Sequence, residues 1–123
     1  MSFNNIEEVN QLALKMLTDG DFNSAQYLFR QNAKKFPCCT TFNNLGVYYI
    51  NEGMELQNGK IQSARKLGFK YLKMAEKDFQ SHRNLMAIGD FYFSEKDFDN
   101  AINYFMLACK LNNPYVNFNN LGD

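Results

Sequence analysis

Phe42-Asn43-Asn44-Leu45-Gly46 returns 76 residues later as Phe118-Asn119-Asn120-Leu121-Gly122. A pentapeptide that recurs within 123 residues points to an internal repeat, which decides the fold before any single helix or strand is assigned. Ala13, Gly46, Gly89 and Gly122 extend it into a ladder of small residues spaced 33, 43 and 33. A second ladder, Ala25, Gly68 and Ala101, keeps the spacings 43 and 33, as do the large residues Phe29, Leu72 and Phe105. One ten-residue insertion between Gly46 and Gly68 reconciles all three ladders.

Each unit reads as two helices. Ile6, Val9, Leu12, Ala13 and Met16 recur at helical spacing, Gly20-Asp21 breaks the run, and Phe22, Ala25, Leu28 and Phe29 resume it up to Pro37. Leu85, Ile88, Gly89 and Tyr92 make the first helix of unit three; Phe98, Ala101, Phe105 and Ala108 make its second, and Pro114 closes it. Asp21 and Asp97 are expected N-caps of second helices, and Thr40 or Thr41 and Ser81 of first helices. Small residues at matching positions imply close helix crossings, because a large side chain there would force apart helices that pack about 8–10 Å from one another. Leu at Gly46 or Gly89 should overpack the crossing by about 1–3 kcal/mol.

Asn58-Gly59, in the middle of the insertion, is a turn signal. The reading favours a protruding helical hairpin, with one helix near 40–57 and its partner near 60–79, over an exposed loop. Tyr115 to Asp123 has the pattern of a first helix without a second, as if a fourth unit were cut off after Leu121-Gly122. This suggests a fragment of a longer array or a half-unit that packs on another copy.

These residues resemble the tetratricopeptide repeat. Leu45-Gly46 with Tyr49, and Ile88-Gly89 with Tyr92, meet its first-helix pattern; Ala101, Phe105, Ala108 and Pro114 meet its second, and Ala25, Phe29, Ala33 and Pro37 follow it more loosely. Unit two departs, with Gly68 in place of the second-helix Ala, no closing Pro and a greater length; with Gly53 and Gly59 it looks like a Sel1-like repeat. The resemblance implies an all-α fold, a right-handed superhelix (α-solenoid) of antiparallel helix pairs in a single domain over 1–123. Repeat 1 would cover about 4–37, repeat 2 about 39–80, repeat 3 about 82–114 and a partial repeat 4 about 115–123.

The composition excludes several functions. Thirteen basic residues balance thirteen acidic ones, which argues against a dedicated nucleic-acid binder. No apolar run approaches the roughly 20 residues of a membrane span, and Met1 to Asn5 carry no basic segment of a secretory signal. Cys38, Cys39 and Cys109 suit neither a disulfide framework nor zinc, so a reducing, cytoplasmic setting is expected. Vicinal Cys38 and Cys39 as a redox pair is a minor alternative. His82 is the sole imidazole and no phosphate loop or nucleophile motif is present; the reading is a non-enzyme without cofactor or metal.

In tetratricopeptide proteins the first helices line the concave surface, and their residues off the core stripe meet the ligand. The resemblance thus implies Asn10, Leu14 and Leu17 in unit one, Asn43, Asn44, Val47 and Ile50 in unit two, and Arg83, Met86, Asp90 and Phe93 in unit three, with Asn120 repeating Asn44. Asn amides can pair with the backbone of an extended peptide whatever its sequence. Family members that hold chaperone tails use Lys and Asn, then Asn, then Lys and Arg. Asn10 and Leu14, Asn44, and Arg83 and Ala87 stand there, so only Asn44 matches and Arg83 is a partial substitute. Lys66, Lys70, Lys73 and Lys77 form one stripe, diluted by Glu76 and Asp78, and read as a solvated outer face.

The leading expectation is a protein–protein interaction scaffold that grips a peptide or helical segment. The alternatives are a targeting or sensing portion of a longer regulatory or enzymatic protein, and a structural module that self-associates as a homo-oligomer through residues 115–123.

Overall fold

Val9 and Ala13 bury one face of α1 (Ile6–Thr18), and Ala25, Phe29 and Ala33 bury the facing stripe of α2 (Phe22–Lys35). The computed structural model describes residues 5–51 and 61–112. In it α1 and α2 are followed by α3 (Cys39–Asn51), α4 (Ile61–Asp78), α5 (His82–Ser94) and α6 (Phe98–Asn112). No strand occurs among the described residues. The helices pair as α1 with α2, α3 with α4 and α5 with α6. Each pair packs on the next through α2 against α3 and α4 against α5, and α3 also touches α5. This is the all-α helix-pair array expected from the ladders.

Both ladders lie at the crossings. Ala13, Ala25 and Ala101 are fully buried or nearly so, and Gly46, Gly68 and Gly89 are buried with them. Aromatic rings fill the space between and within units: Phe29 lies 5.4 Å from Tyr48 and Phe69 stacks on Phe91 at 4.5 Å across unit boundaries, while Tyr49 stacks on Tyr71 at 6.0 Å inside unit two. Tyr and Phe suit this layer because their large apolar area is buried while a phenol can still find an acceptor. The Tyr48 hydroxyl donates to the Phe22 carbonyl at 3.2 Å and so ties unit two to unit one.

The caps follow short-range chemistry. Asp21 Oδ1 accepts from Ser24 N at 3.1 Å, Ser81 Oγ from Asn84 N at 3.1 Å, and Asp97 Oδ1 from Asn100 N at 3.3 Å, as expected. Asn5, not anticipated, caps α1 by accepting from Glu8 N at 2.8 Å. The start of α3 corrects the sequence reading: the helix begins at Cys39, so Thr40 and Thr41 lie inside it. Thr41 Oγ1 instead reaches back to accept from Cys38 N at 3.2 Å, and the Cys39 N–H donates to Asp78 Oδ2 at 2.8 Å. The end of α4 therefore satisfies a backbone donor that the local sequence leaves open.

The lengthened second unit is visible in α4, which has 18 residues against 14 in α2 and 15 in α6. Its bounds lie close to the expected 60–79. The remainder of the other arm, 52–57, with Gly53 and the Asn58-Gly59 turn, lies outside the described residues. So do Pro114, the half-unit 115–123 and Asn120.

Arg65, one turn into α4, links units two and three. Its Nη2 lies 3.2 Å from Glu95 Oε1, it bonds Ser94 Oγ, and its guanidinium sits 4.9 Å from the centre of the Phe91 ring.

Candidate functional site

The first helices α1, α3 and α5 share one side of the array, and the hollow between them takes its shape from their side chains. A cleft of about 420 Å³ is lined by Asn10, Leu14 and Leu17 from α1, by Asn43, Asn44, Val47, Tyr48 and Asn51 from α3, by Phe29 from α2 and by Arg83 from α5. The cleft exists because the small residues of the inner ladder, Ala13 and Gly46, face their partner helices. The larger residues one and four positions away are left on the open side.

Seven of the residues expected at the groove therefore come together: Asn10, Leu14, Leu17, Asn43, Asn44, Val47 and Arg83. Ile50 and Asp90 line a smaller adjoining hollow of about 160 Å³ with Val47, Asn51, Arg65 and Phe91. Val47 and Asn51 border both, so the two hollows form one continuous surface. Ile50 also packs over Gly68, since its Cγ1 lies 2.6 Å from where a Cβ on that glycine would stand. Met86 and Phe93 line neither hollow. Phe93 is 59% exposed, its ring edge-on to Phe98 at 5.5 Å.

The asparagines are not equivalent. Asn43 is only 3% exposed and its Oδ1 accepts from Asn84 Nδ2 at 3.0 Å. Asn84 is fully buried and donates also to the Leu72 carbonyl at 3.1 Å. This pair staples α3 to α5 and to α4 beneath the cleft, a structural use that the sequence reading did not assign to Asn43. Asn10 is buried as well, at 8% exposure. Asn44 differs: it is half-buried at the cleft wall, and its Nδ2, sheltered from solvent, has no hydrogen-bond partner. A polar nitrogen left in this state is destabilising by about 1–3 kcal/mol unless something accepts from it.

Tyr48, Phe29, Asn51 and Arg65 were missed. Tyr48 and Phe29 form the floor, where a ring is indistinguishable by sequence from core. Asn51 carried a usable signal, one turn beyond Val47 on the same stripe. Arg65 stands where the 43 and 33 spacings place Phe22 and Phe98 in the other units, and those apolar counterparts gave no sign of a charge there.

The outer side carries different chemistry. Lys73 Nζ lies 2.6 Å from Glu76 Oε1 and donates to the Tyr104 hydroxyl at 2.8 Å, and that hydroxyl donates to the same Glu76 oxygen at 3.2 Å. Burial draws the Lys73 ammonium down, but its hydrogen bonds to Glu76 and Tyr104 outweigh this and hold it above its ordinary value. Burial, followed by hydrogen bonding to Glu76, raises the Tyr104 phenol. Lys66, Lys70 and Lys77 of the same stripe are exposed.

His82, exposed at the first position of α5, places Nδ1 3.0 Å from the Ala108 carbonyl oxygen. Cys38, Cys39 and Cys109 are free thiols. Among the described residues no three His, Cys, Asp or Glu side chains gather as a metal site, and no helix is long and apolar enough to cross a membrane.

Residues 82–115, which contain α5 and α6, match the family model of the tetratricopeptide repeat. The match supports a tetratricopeptide-repeat family, whose members are generally non-catalytic protein–protein interaction modules. No curated protein and no solved structure matches the chain.

Proposed function

We propose that this chain is a non-catalytic adaptor that holds an extended segment of a partner protein in the cleft between α1, α3 and α5. The observation that carries this reading is the partnerless Nδ2 of Asn44 at the wall of a cleft that also exposes Leu14, Leu17 and Val47 beside Asn51 and Arg83. When the half-buried Asn44 side chain turns this nitrogen toward the cleft, a backbone carbonyl of an extended peptide supplies the acceptor that it lacks. Leu14, Leu17 and Val47 offer apolar contact to alternate side chains of such a peptide, and Arg83 offers a cation at one end. The lining that supports this is Asn10, Leu14, Leu17, Asn44 and Val47 for the first subsite, with Ile50 and Asp90 continuing it. Asn43 supports the cleft from below. Balanced overall charge favours a protein partner over nucleic acid or a membrane surface. The free thiols suit a reducing, cytoplasmic setting. The long α4 fits a Sel1-like second unit within a tetratricopeptide array.

The test is a pull-down from lysate of the native organism, read by mass spectrometry, with wild type against Asn44→Ala/Val47→Glu. Circular dichroism confirms that the variant is folded. A protein recovered by wild type and lost with the variant supports the cleft as the binding site. Equal recovery by both sinks this reading.

A further inference from the structure

On the outer side, α2 and α4 flank a second cleft of about 700 Å³, floored by Phe42 and Leu45 of α3. Arg30 and Lys34 stand on its α2 wall and Tyr71 and Met74 on its α4 wall; no carboxylate lines it among the described residues. In a chain whose charges sum to zero, this is a local excess of positive charge.

The repeat itself says what is missing here. One unit further on, the outer helices α4 and α6 are joined through Lys73, Glu76 and Tyr104, with the Glu76 carboxylate contacting both the ammonium and the phenol. The ladder spacings of 43 and 33 carry these three positions back to Arg30, Ala33 and Tyr71. Cation and phenol are retained, but Ala stands where the carboxylate should be. Arg30 has no ion pair and the Tyr71 hydroxyl no hydrogen bond among the described residues. The Arg30 fork suits a carboxylate better than the Lys73 ammonium does, since it can donate two parallel hydrogen bonds. Tyr27, 63% exposed, and Met74, 38% exposed, provide apolar surface beside it.

We infer that the outer cleft between α2 and α4 docks an acidic peptide segment of a partner protein, whose Asp or Glu side chain takes the place between Arg30 and Tyr71 that Glu76 fills between Lys73 and Tyr104. An aromatic or aliphatic neighbour in that peptide rests on Tyr27 and Met74. This site shares α2 and α3 with the inner cleft but none of its lining residues, so the two can be tested separately.

The experiment is selection of a random twelve-residue peptide library, displayed on phage, against the immobilised chain. Affinities of selected peptides are then read by fluorescence anisotropy. The expected result is enrichment of Asp or Glu next to an aromatic or aliphatic residue. Arg30→Glu/Lys34→Glu, both exposed positions, should weaken such peptides by about tenfold or more, as expected for loss of a hydrogen bond to a charged group. Asn44→Ala/Val47→Glu should leave them unchanged, which separates this site from the inner cleft. Ala33→Glu, which rebuilds the carboxylate within the chain, should also displace them; should that variant not fold, the exposed charge reversals carry the test alone. Failure to enrich acidic peptides, or acidic peptides that bind the Arg30→Glu/Lys34→Glu chain equally, overturns the proposal. So does a dT20 oligonucleotide that binds more tightly than the peptides and is lost with the same variant, because the cleft would then be a phosphate surface.

Discussion

Gly46 and Gly68 meet backbone to backbone: a Cβ on Gly68 would stand 2.7 Å from the Gly46 carbonyl oxygen, and one on Gly46 would stand 2.8 Å from the carbonyl oxygen of Gly68. This explains why unit two carries Gly where units one and three carry Ala25 and Ala101. The α3–α4 crossing is close enough that neither helix has room for a methyl group. In unit three the approach is of another kind, because a Cβ on Gly89 would meet ring carbons of Phe105 at 2.6 and 2.7 Å.

Gly68→Ala is therefore expected to destabilise more than Gly89→Ala. Overpacking against a backbone carbonyl, about 1–3 kcal/mol, exceeds the roughly 1 kcal/mol that alanine gains over glycine within a helix. The half-buried Phe105 ring can swing aside, so Gly89→Ala should stay within about 0.5 kcal/mol of wild type, the helix gain offsetting the ring's displacement. Urea unfolding midpoints compare the two variants directly. Equal midpoints would show that the two crossings are alike.

Asn84→Ala removes a buried amide that donates both to Asn43 and to the Leu72 carbonyl. The Leu72 carbonyl keeps its bond within α4, but leaving the Asn43 oxygen unpaired should lower stability by about 1–3 kcal/mol. A double-mutant cycle with Asn43→Ala should return a coupling of about 1 kcal/mol, as for residues in direct contact. A coupling of zero would mean that the two amides contribute independently.

Lys96 and Gly20, 76 residues apart, hold the same place in the turns of units three and one, with φ of 64° and 82°. At Gly20 a Cβ would meet nothing within 4 Å, so the demand there is purely one of backbone conformation. A side chain in this left-handed region costs about 1–2 kcal/mol, against about 0.5–1 kcal/mol for the extra freedom glycine loses on folding. Lys96→Gly should thus raise stability by about 0.5–1 kcal/mol, visible as a higher unfolding midpoint. A lower midpoint would show that the lysine side chain contributes more than its backbone costs.

Asp21 is held below its ordinary pKa by hydrogen bonds from Ser24, first from its side chain and then from its backbone. A carboxylate depressed in the folded state stabilises fully above its unfolded value of about 3.9, and this contribution is lost as pH falls through the lower folded value. Asp21→Asn keeps an acceptor at the cap and does not titrate. Its stability should decline less steeply than wild type between about pH 4 and pH 2, as read from urea midpoints along an acid series. Parallel declines would place the acid sensitivity in other carboxylates.

How the sequence and the structure divide the information follows from the range of each interaction. The helix pairs, three caps and the crossings at Ala13, Gly46, Gly68 and Gly89 were legible because they rest on short-range chemistry or on spacing repeated three times. The start of α3 was misplaced because its first amide is met by Asp78, 39 residues away, beyond the reach of any local pattern. Asn43 and Asn44 adjoin in sequence and look alike, yet one is spent on Asn84 while the other keeps a nitrogen without a partner. Only the crossing of α3 with α5 decides which is which.

The sequence by itself thus determined a helical array, its repeat length and the residues small enough to stand at its crossings, because each unit must satisfy the same packing geometry. The tertiary structure alone decided where that regularity is broken. Arg65 bridges two units from a position where units one and three carry Phe22 and Phe98, and Ala33 leaves Arg30 and Tyr71 without the carboxylate that their counterparts share. Such differences depend on which side chains from separate units converge in space, and linear spacing does not record that convergence.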